Sequence, residues 1–270
     1  MKVSMNKLIG RNNEIDLIKL YISEIKSFHI YGPEGAGKTA ILEYIYQNWA
    51  DMNTSLIPIF CRTGRTLKEI LQPIAGVLLQ RSRSLANIDK FKRIKEIYRQ
   101  SDLKEVNSRE LKNMIFNNIG YKKFCIILDQ LDCVTPRINT FLTPLKDRAV
   151  TITTSGQSWD IADYHFFARL DYCLWLLPKV QIKNLSRHDT FLLMKQTIGD
   201  TTTLGETLFS KIYHITNGNP ELTKKILAKA VLPKYLTDGH VNLKLIMIDL
   251  QMEKAGVNRT LKRGKGGSND

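Results

Sequence analysis

Residues 32–39 read Gly32-Pro33-Glu34-Gly35-Ala36-Gly37-Lys38-Thr39, which matches the pattern G-x-x-x-x-G-K-[ST] at every position. An apolar run at 27–31 precedes this motif, and residues 41–49 carry apolar side chains at helical spacing after it. The glycines allow backbone N–H groups to approach phosphate oxygens where a Cβ would collide. The sequence therefore predicts a strand, a phosphate-binding loop of the Walker A type, and a helix whose positive N-terminal end begins at Lys38.

Two side chains of this loop have a predicted chemical role. Lys38 is expected to bridge the β- and γ-phosphates of a nucleotide, and Thr39 to place its hydroxyl on Mg²⁺. Ala40, the next residue, completes the set of candidate nucleotide-binding residues in the loop. The guanine-reading pattern Asn-Lys-x-Asp does not occur in the sequence, so ATP with Mg²⁺ is the expected ligand.

A second apolar run ends in an acidic residue, Phe124-Cys125-Ile126-Ile127-Leu128-Asp129. This pattern predicts a buried strand that carries a metal-binding carboxylate, the Walker B element, although an ordinary strand ending in a solvated aspartate has the same appearance. Gln130 follows where many such ATPases have a glutamate, and a neutral amide orients water but is a poor proton acceptor. Asp132 is the candidate substitute, so we expect slow hydrolysis.

The composition indicates a globular protein with a basic surface. The chain has 40 Lys and Arg against 26 Asp and Glu, a formal net charge of +14, with 43% hydrophobic and 24% charged residues. No apolar run approaches the ~20 residues of a membrane-spanning helix, and the N-terminus turns polar too early for a signal peptide. The four cysteines show no metal or disulfide spacing. We therefore expect a cytoplasmic protein that does not bind a membrane.

Apolar runs alternate with helix-period segments up to residue 183, which is typical of a parallel sheet covered by helices. Strands are predicted at 27–31, 56–61, 124–128 and 150–154, with a fifth within 172–183. From 184 the strand pattern stops. The sequence thus predicts an α/β nucleotide-binding domain over 1–183 with a basic insertion at 81–107, a helical lid domain over 184–255, and a flexible basic tail over 256–270.

Several motifs, in this order, resemble those of the AAA+ and STAND-type P-loop ATPases, with archaeal-type and origin-recognition-like ATPases closest. They are the Gly10-Arg11-x-x-Glu14 box, the loop at 32–39, the strand that ends at Asp129, and Gly218-Asn219-Pro220. The resemblance covers about residues 8–230. It implies a P-loop NTPase sheet with flanking helices, followed by a small all-helical lid, with ATP and Mg²⁺ between them.

The resemblance also implies roles for individual residues. Gly10 and Arg11 are expected near the adenine. Thr154, within Thr153-Thr154-Ser155, is the candidate sensor of the γ-phosphate. Pro220 is expected near the nucleotide, and Lys224 or Lys225 is a candidate second sensor. Arg169 is the best candidate for an arginine finger, although a solvated arginine is an equally good interpretation.

A cluster of basic residues at 81–99 has no role in the loop. Its cations are Arg81, Arg83, Lys90, Lys92, Arg93, Lys95 and Arg99, with Phe91 and Tyr98 among them. Such a segment can neutralise nucleic-acid phosphates without reading sequence, as can the basic tail. A solvated helix face is the alternative interpretation.

These observations favour an ATP-binding protein, a slow AAA+-type ATPase whose nucleotide state controls lid conformation or assembly and DNA engagement, as in replication or transposition regulators. Homo-oligomerisation or a partner protein would belong to such a mechanism. The alternative is a STAND-like signalling or defence switch that acts through protein partners without efficient hydrolysis. A nucleotide-binding accessory protein with no useful hydrolysis is a further alternative.

Overall fold

The structure is a computed structural model that describes residues 8–82, 102–158, 176–199, 205–237 and 240–256. The chain divides into two compact units, Met1–Asn184 and Leu185–Asp270. No helix in the described ranges is long and apolar enough to cross a membrane.

The first unit is a five-stranded sheet with helices on both faces. Its helices are α1 (Asn12–Ser23), α2 (Lys38–Gln47), α3 (Leu67–Ser82), α4 (Ser108–Asn118) and α5 (Pro136–Arg148), with short 3₁₀ helices at Trp49–Met52 and Asp102–Lys104. Its strands are β1 (Phe28–Tyr31), β2 (Ile57–Cys61), β3 (Phe124–Leu128), β4 (Val150–Ser155) and β5 (Lys179–Gln181). The strand order is β2-β3-β4-β1-β5, and every neighbouring pair is parallel. The predicted fold class is confirmed.

The two faces of the sheet bury different side chains because successive residues of a strand point to opposite sides. On one face, Ile59, Ile126 and Leu128 pack with apolar residues of α3, α4 and α5. On the other face, Phe28 and Ile30 pack with apolar residues of α1 and α2. The central strand β3 is buried along its whole length, as its uninterrupted apolar run indicates.

Two parts of this unit differ from the sequence expectation. Helix α1 was not predicted, although Ile15, Ile18 and Ile22 recur at helical spacing and all three are buried. In the segment 81–107, residues 81 and 82 complete α3 and Asp102–Lys104 forms a 3₁₀ turn, while 83–101 lies outside the described residues.

The second unit is mainly helical. It contains α6 (Arg187–Ile198), α7 (Glu206–Thr216), α8 (Pro220–Ala230), α9 (Leu243–Lys254), a 3₁₀ turn at Pro233–Tyr235, and the two-residue strands β6 (Leu236–Thr237) and β7 (His240–Val241). Met194, Phe209, Ile212, Ile226 and Ile246 form its core. The antiparallel β6–β7 pair was not predicted from the sequence, which indicated helices alone. The tail from 257 lies outside the described residues.

Candidate nucleotide-binding site

The predicted phosphate-binding loop connects β1 to α2. Gly35 and Gly37 have φ angles of 75° and 98°, in the left-handed region that favours glycine. Gly32 is required for a different reason, because a Cβ there would lie 2.1 Å from the carbonyl oxygen of Ile182. The N–H of Ile182 donates a 2.7 Å hydrogen bond to Tyr31, so the chain just after β5 closes tightly on the start of the loop.

Arg11 fixes the far side of the same loop. Its side chain is 5% exposed, and its Nη2 donates 2.8 Å hydrogen bonds to the carbonyl oxygens of both Ala36 and Lys183. Its Nη1 forms an ion pair with Glu14 at 3.1 Å. The guanidinium therefore joins the start of α1, the loop and the segment after β5. Arg11 thus acts as a positioning residue for the loop, and its expected place near the adenine stays a prediction. Gly10 precedes it with a φ of 65°.

The ammonium group of Lys38 lies over the loop. Its Nζ donates hydrogen bonds to the carbonyl oxygens of Gly32 at 2.7 Å and Pro33 at 3.0 Å. Burial lowers the pKa of Lys38 from its ordinary value of 10.5, and nearby carboxylates, led by that of Asp132, act in the opposite direction. The cation is thus close to the acidic residues predicted for the site.

Three predicted residues from three different elements meet at one carboxylate. Asp129, at the end of β3, is 1% exposed. Its Oδ2 accepts a 2.7 Å hydrogen bond from Thr39 of α2, and its Oδ1 accepts a 2.5 Å hydrogen bond from Thr154 of β4. The hydroxyl of Thr39 and the carboxylate of Asp129 are hard oxygen donors, the type that Mg²⁺ takes when waters and phosphates complete its octahedron. The donor set therefore fits that ion.

Gln130 is fixed at the edge of this cluster. It has a φ of 54°, and its backbone N–H donates to Oδ1 of Asp129 at 3.0 Å and to the hydroxyl of Thr154 at 2.9 Å. Its side-chain oxygen accepts a 3.3 Å hydrogen bond from Nη2 of Arg65. Arg65 was missed by the sequence analysis. It follows β2, and only the strand order, with β2 beside β3, brings it to Gln130.

Asp132 lies two residues further on and is exposed. Its Oδ1 accepts a 2.6 Å hydrogen bond from the N–H of Gly156, just after β4. This hydrogen bond, and the rise that its carboxylate causes in the pKa of Lys38, place Asp132 at the end of the sheet where the loop lies.

A buried polar row behind the site was also not predicted. His29 of β1 lies 2.8 Å from the hydroxyl of Thr153 and 3.0 Å from that of Ser155, through Nδ1 and Nε2 respectively. All three side chains are fully buried. They join β1, which leads into the loop, to β4, which carries Thr154 on its opposite face.

The remaining candidates lie in the second unit or outside the described residues. Pro220 is the first residue of α8 and Lys224 lies one turn later, both in the second unit. The Gly218-Asn219-Pro220 motif has a local explanation, because the Asn219 side chain caps α8 by accepting from the N–H of Leu222 at 3.0 Å. The nucleotide roles of Pro220 and Lys224 remain predictions. Arg169 lies outside the described residues.

Several solved structures are similar to this chain over most of its length. The Walker-type ATPase PABY2304 of Pyrococcus abyssi is 14% identical with a TM-score of 0.59, over 92% of this chain and 73% of its own. The Aeropyrum pernix ORC1 protein in complex with DNA is 12% identical with a TM-score of 0.63, over 93% and 68%. The Aeropyrum pernix ORC2 protein, in its ADPNP–ADP complexes, is 12% identical with a TM-score of 0.55, over 93% and 70%. At these identities the likeness establishes the fold.

No curated protein sequence matches the chain. A family profile described as "Nephrocystin 3, N-terminal" matches residues 19–156, just over half of the 270 residues. The match includes the phosphate-binding loop, Asp129 and Thr154. The chain therefore has the P-loop ATPase fold, with a likeness to the origin-recognition proteins, and it belongs to the nephrocystin 3 N-terminal family.

Proposed function

We propose that this protein binds ATP with Mg²⁺ at residues 32–40 and is a slow ATPase, in which the bound nucleotide controls lid conformation or assembly and the engagement of DNA. The observation that carries the nucleotide part is the hydrogen-bonded chain Thr39–Asp129–Thr154. It joins the residue after the loop lysine, the acid that ends β3, and a hydroxyl of the adjacent strand β4. A solvated aspartate at a strand end would not need both neighbours.

The protein groups have distinct tasks in this proposal. The backbone N–H groups of the glycine-rich loop and the N-terminus of α2 bind phosphate oxygens. Lys38 neutralises negative charge between the two terminal phosphates. Thr39 and Asp129 would hold Mg²⁺, which when bound polarises the phosphoryl oxygens. Thr154 orients Asp129, and Arg11 keeps the loop in shape through Ala36.

Slow hydrolysis follows from the group next to Asp129. The side-chain oxygen of Gln130 already accepts a hydrogen bond from Arg65, and an amide has little capacity to take a proton from water. Asp132 is the nearest alternative base along the chain, but it is engaged by the N–H of Gly156. Because each of these two side chains is held by a hydrogen bond, we expect ATP turnover well below the usual range of about 1–10³ s⁻¹.

DNA engagement is supported by charge. The net charge of +14 greatly exceeds what one triphosphate requires, and the basic residues at 81–99 begin, in the sequence, at the end of α3. The Aeropyrum pernix ORC1 structure, which is similar in fold, is a complex with DNA. A sequence-independent interaction would weaken steeply as salt is raised.

A STAND-like switch that acts through a protein partner, without efficient hydrolysis, is the second candidate. The Arg65–Gln130 contact favours it, because a restrained amide at this position holds bound nucleotide without activating water. The match to the nephrocystin 3 N-terminal family, which is STAND-like, favours it as well.

The nucleotide part is tested by titrating a fluorescent ATP analogue with and without Mg²⁺ into wild type, Lys38→Ala and Thr39→Val. We expect each substitution to weaken binding at least about tenfold, which corresponds to about 1.4 kcal/mol. Removing Mg²⁺ should weaken binding to wild type more than to Thr39→Val. Lys19→Ala, in α1, is the matched control and should bind normally. Normal binding by Lys38→Ala would overturn the site assignment.

The two candidate functions are separated by DNA titrations over a range of salt, with and without ATP. Coupled DNA and ATP binding at low salt supports the DNA-engaging ATPase. ATP binding that is indifferent to DNA, with turnover near the background rate, supports the protein-directed switch.

A further inference from the structure

An open cleft of about 830 Å³ lies in the first unit where the N-terminal ends of α3, α4 and α5 come together. Half of the described residues that line it are cations, and none of them is an aspartate or glutamate. These cations, which we call the basic cleft, are Arg65, Lys68, Arg109, Lys112 and Arg137. No residue of the phosphate-binding loop lines it.

The five cations lack carboxylate partners among the described residues. Arg65 donates to the amide of Gln130, and Lys68 donates to the carbonyl oxygen of Lys104. Two acids lie in the first turns of these helices, Glu69 in α3 and Glu110 in α4, and neither lines the cleft. Oε2 of Glu69 accepts from the hydroxyl of Thr63 at 2.9 Å and from the N–H of Thr66 at 3.4 Å. Five like charges around one concavity repel each other, and a bound anion would relieve that repulsion.

The backbone adds to the same potential. Three helices begin at the cleft. The residues that line it there are Thr66, just before α3, Ser108, the first residue of α4, Thr135, which caps α5, and Pro136, the first residue of α5. Each helix N-terminus carries a partial positive charge. Lys68 and Arg137 lie in these first turns, and Arg109 and Lys112 are three residues apart in α4, so they share a face. The side chains and the helix ends therefore attract the same kind of ligand.

We propose that the basic cleft is a second anion-binding site, separate from the phosphate-binding loop, for a compact ligand that carries two or more phosphate groups. The volume lies within the range of about 300–1,000 Å³ for small-molecule sites. The cations approach from three helices around a hollow, an arrangement that suits a compact polyanion better than an extended strand. Among the described residues no aromatic side chain lines the cleft, so this lining offers no surface on which unpaired bases would stack.

Arg65 connects this cleft to the first site. It lines the cleft and also donates to Gln130, directly after Asp129. A ligand that engages Arg65 competes with Gln130 for the same guanidinium. The anion site itself does not depend on ATP binding at the loop.

The test uses inorganic tripolyphosphate as the probe and the full chain with Lys38→Ala, which weakens phosphate binding at the loop. Isothermal titration calorimetry should detect one site. The titration is run at about 0.1 M salt, where charges more than about 10 Å apart are largely screened from each other. Adding Arg109→Gln and Lys112→Gln should weaken that binding at least tenfold. Adding Lys195→Gln and Lys211→Gln, which removes the same charge from exposed positions of α6 and α7, should leave it unchanged. Thermal melts of both variants establish that they are folded.

Three results would overturn the proposal. Equal weakening by the two pairs of substitutions would mean that the probe responds to overall charge. Equal affinity for orthophosphate and tripolyphosphate would mean that the cleft does not recognise linked phosphates. An oligothymidylate that binds more tightly than tripolyphosphate, with the same dependence on Arg109 and Lys112, would assign the cleft to a nucleic-acid backbone. Loss of ATP binding in Lys38→Ala bears only on the loop, so the two proposals fail separately.

Discussion

The hydroxyl of Thr154 donates a 2.5 Å hydrogen bond to the buried carboxylate of Asp129 across the β3–β4 pair. With Thr39 on the other oxygen, this bond sets the orientation of the carboxylate. Thr151, three residues earlier on β4, gives a natural contrast. Its hydroxyl is buried and has no hydrogen-bond partner in the part of the chain that the structure describes.

The pair of threonines yields the first prediction. Thr154→Val removes a hydrogen bond to a charged, buried group and should lower the free energy of unfolding by about 1.5–3 kcal/mol. Thr151→Val removes a buried hydroxyl without a partner, so it should be neutral or stabilise by about 1 kcal/mol. Urea denaturation measures both. Similar losses in the two variants would contradict the hydrogen bonding described for β4. If the proposed site is correct, only Thr154→Val should also reduce ATP turnover.

Arg11→Lys should destabilise the first unit by about 1–3 kcal/mol, because a single ammonium cannot span Ala36, Lys183 and Glu14 as the guanidinium does. ATP affinity should fall with it, since the carbonyl of Ala36 loses its anchor. Glu14→Gln keeps a hydrogen-bond acceptor and is the control, with a loss below about 1 kcal/mol. Urea denaturation and nucleotide titration provide the two readouts. Wild-type ATP affinity in Arg11→Lys would show that the hydrogen bonds of Arg11 to Ala36 and Lys183 are not needed for nucleotide binding.

Gln130→Glu is expected to raise ATP turnover only modestly on its own. The new carboxylate would lie where the amide oxygen now accepts from Arg65, and the guanidinium would hold it and reduce its basicity. The double variant Arg65→Ala with Gln130→Glu should therefore turn over faster than Gln130→Glu, by about tenfold. Arg65→Ala alone controls for loss of the cation. If Gln130→Glu turned over ATP faster than the double variant, Arg65 would be assisting the reaction.

Gly218→Ala should severely destabilise the second unit. Gly218 has a φ of +72°, and a Cβ there would lie 2.1 Å from the carbonyl oxygen of Leu185, whose N–H in turn donates to Gly218 at 2.9 Å. We expect a loss of about 3 kcal/mol or more, from strain and displaced backbone together. Gly205→Ala is the control, because among the described residues its Cβ would meet only the Thr207 hydroxyl at 3.7 Å, and it should cost less than about 1 kcal/mol. Thermal denaturation followed by circular dichroism compares the two.

Cysteine labelling reports on the sheet. Burial raises the pKa of the Cys61 thiol from 9.0 to about 12, and it raises that of Cys125 as well, whereas Cys133 is exposed. Iodoacetamide at pH 8 should therefore modify Cys133 and leave the two buried thiols intact until the protein is unfolded, as read by peptide mass spectrometry. Because the unfolded chain loses the Cys61 proton first, this group's contribution to stability is full below pH 9 and declines as the pH rises toward 12. Rapid labelling of Cys61 in the folded protein would contradict its burial in β2.

The sequence predicts the sheet well because its strands are short apolar runs between polar turns. Phe124–Leu128 is found as expected, and the fifth strand, expected within 172–183, is Lys179–Gln181. The glycine-rich loop at 32–37 could also be predicted from the sequence, because its glycines stand between an apolar run and a helix-period segment, which form β1 and α2. In β4, Thr154 faces Asp129 while Thr153 and Ser155 face His29, and the sensor role of Thr154 stays a prediction.

Other features depend on information that a single sequence does not display. The contact of Arg65 with Gln130 requires the strand order, which places β2 beside β3. The role of Arg11 requires knowing that Lys183 returns to the loop after β5. Strands β6 and β7 have two residues each, too few for an alternation to show. The basic cleft brings together cations from residues 65 to 137, and no periodicity in the sequence connects them.

The strand order also bears on how the protein is made. β1 ends at Tyr31, but its two neighbours are β4 and β5, and β4 begins 119 residues later (150 − 31). At about 5–20 residues per second, a ribosome takes about 6–24 s to cover that distance. Throughout this interval Phe28 and Ile30 have no strand beside them, and the hydrogen bonds from Ile182 and to Lys183 do not yet exist. A nascent chain of 39 to 181 residues therefore contains the whole loop sequence but lacks the contacts of Ile182 and Lys183 that hold the loop in shape.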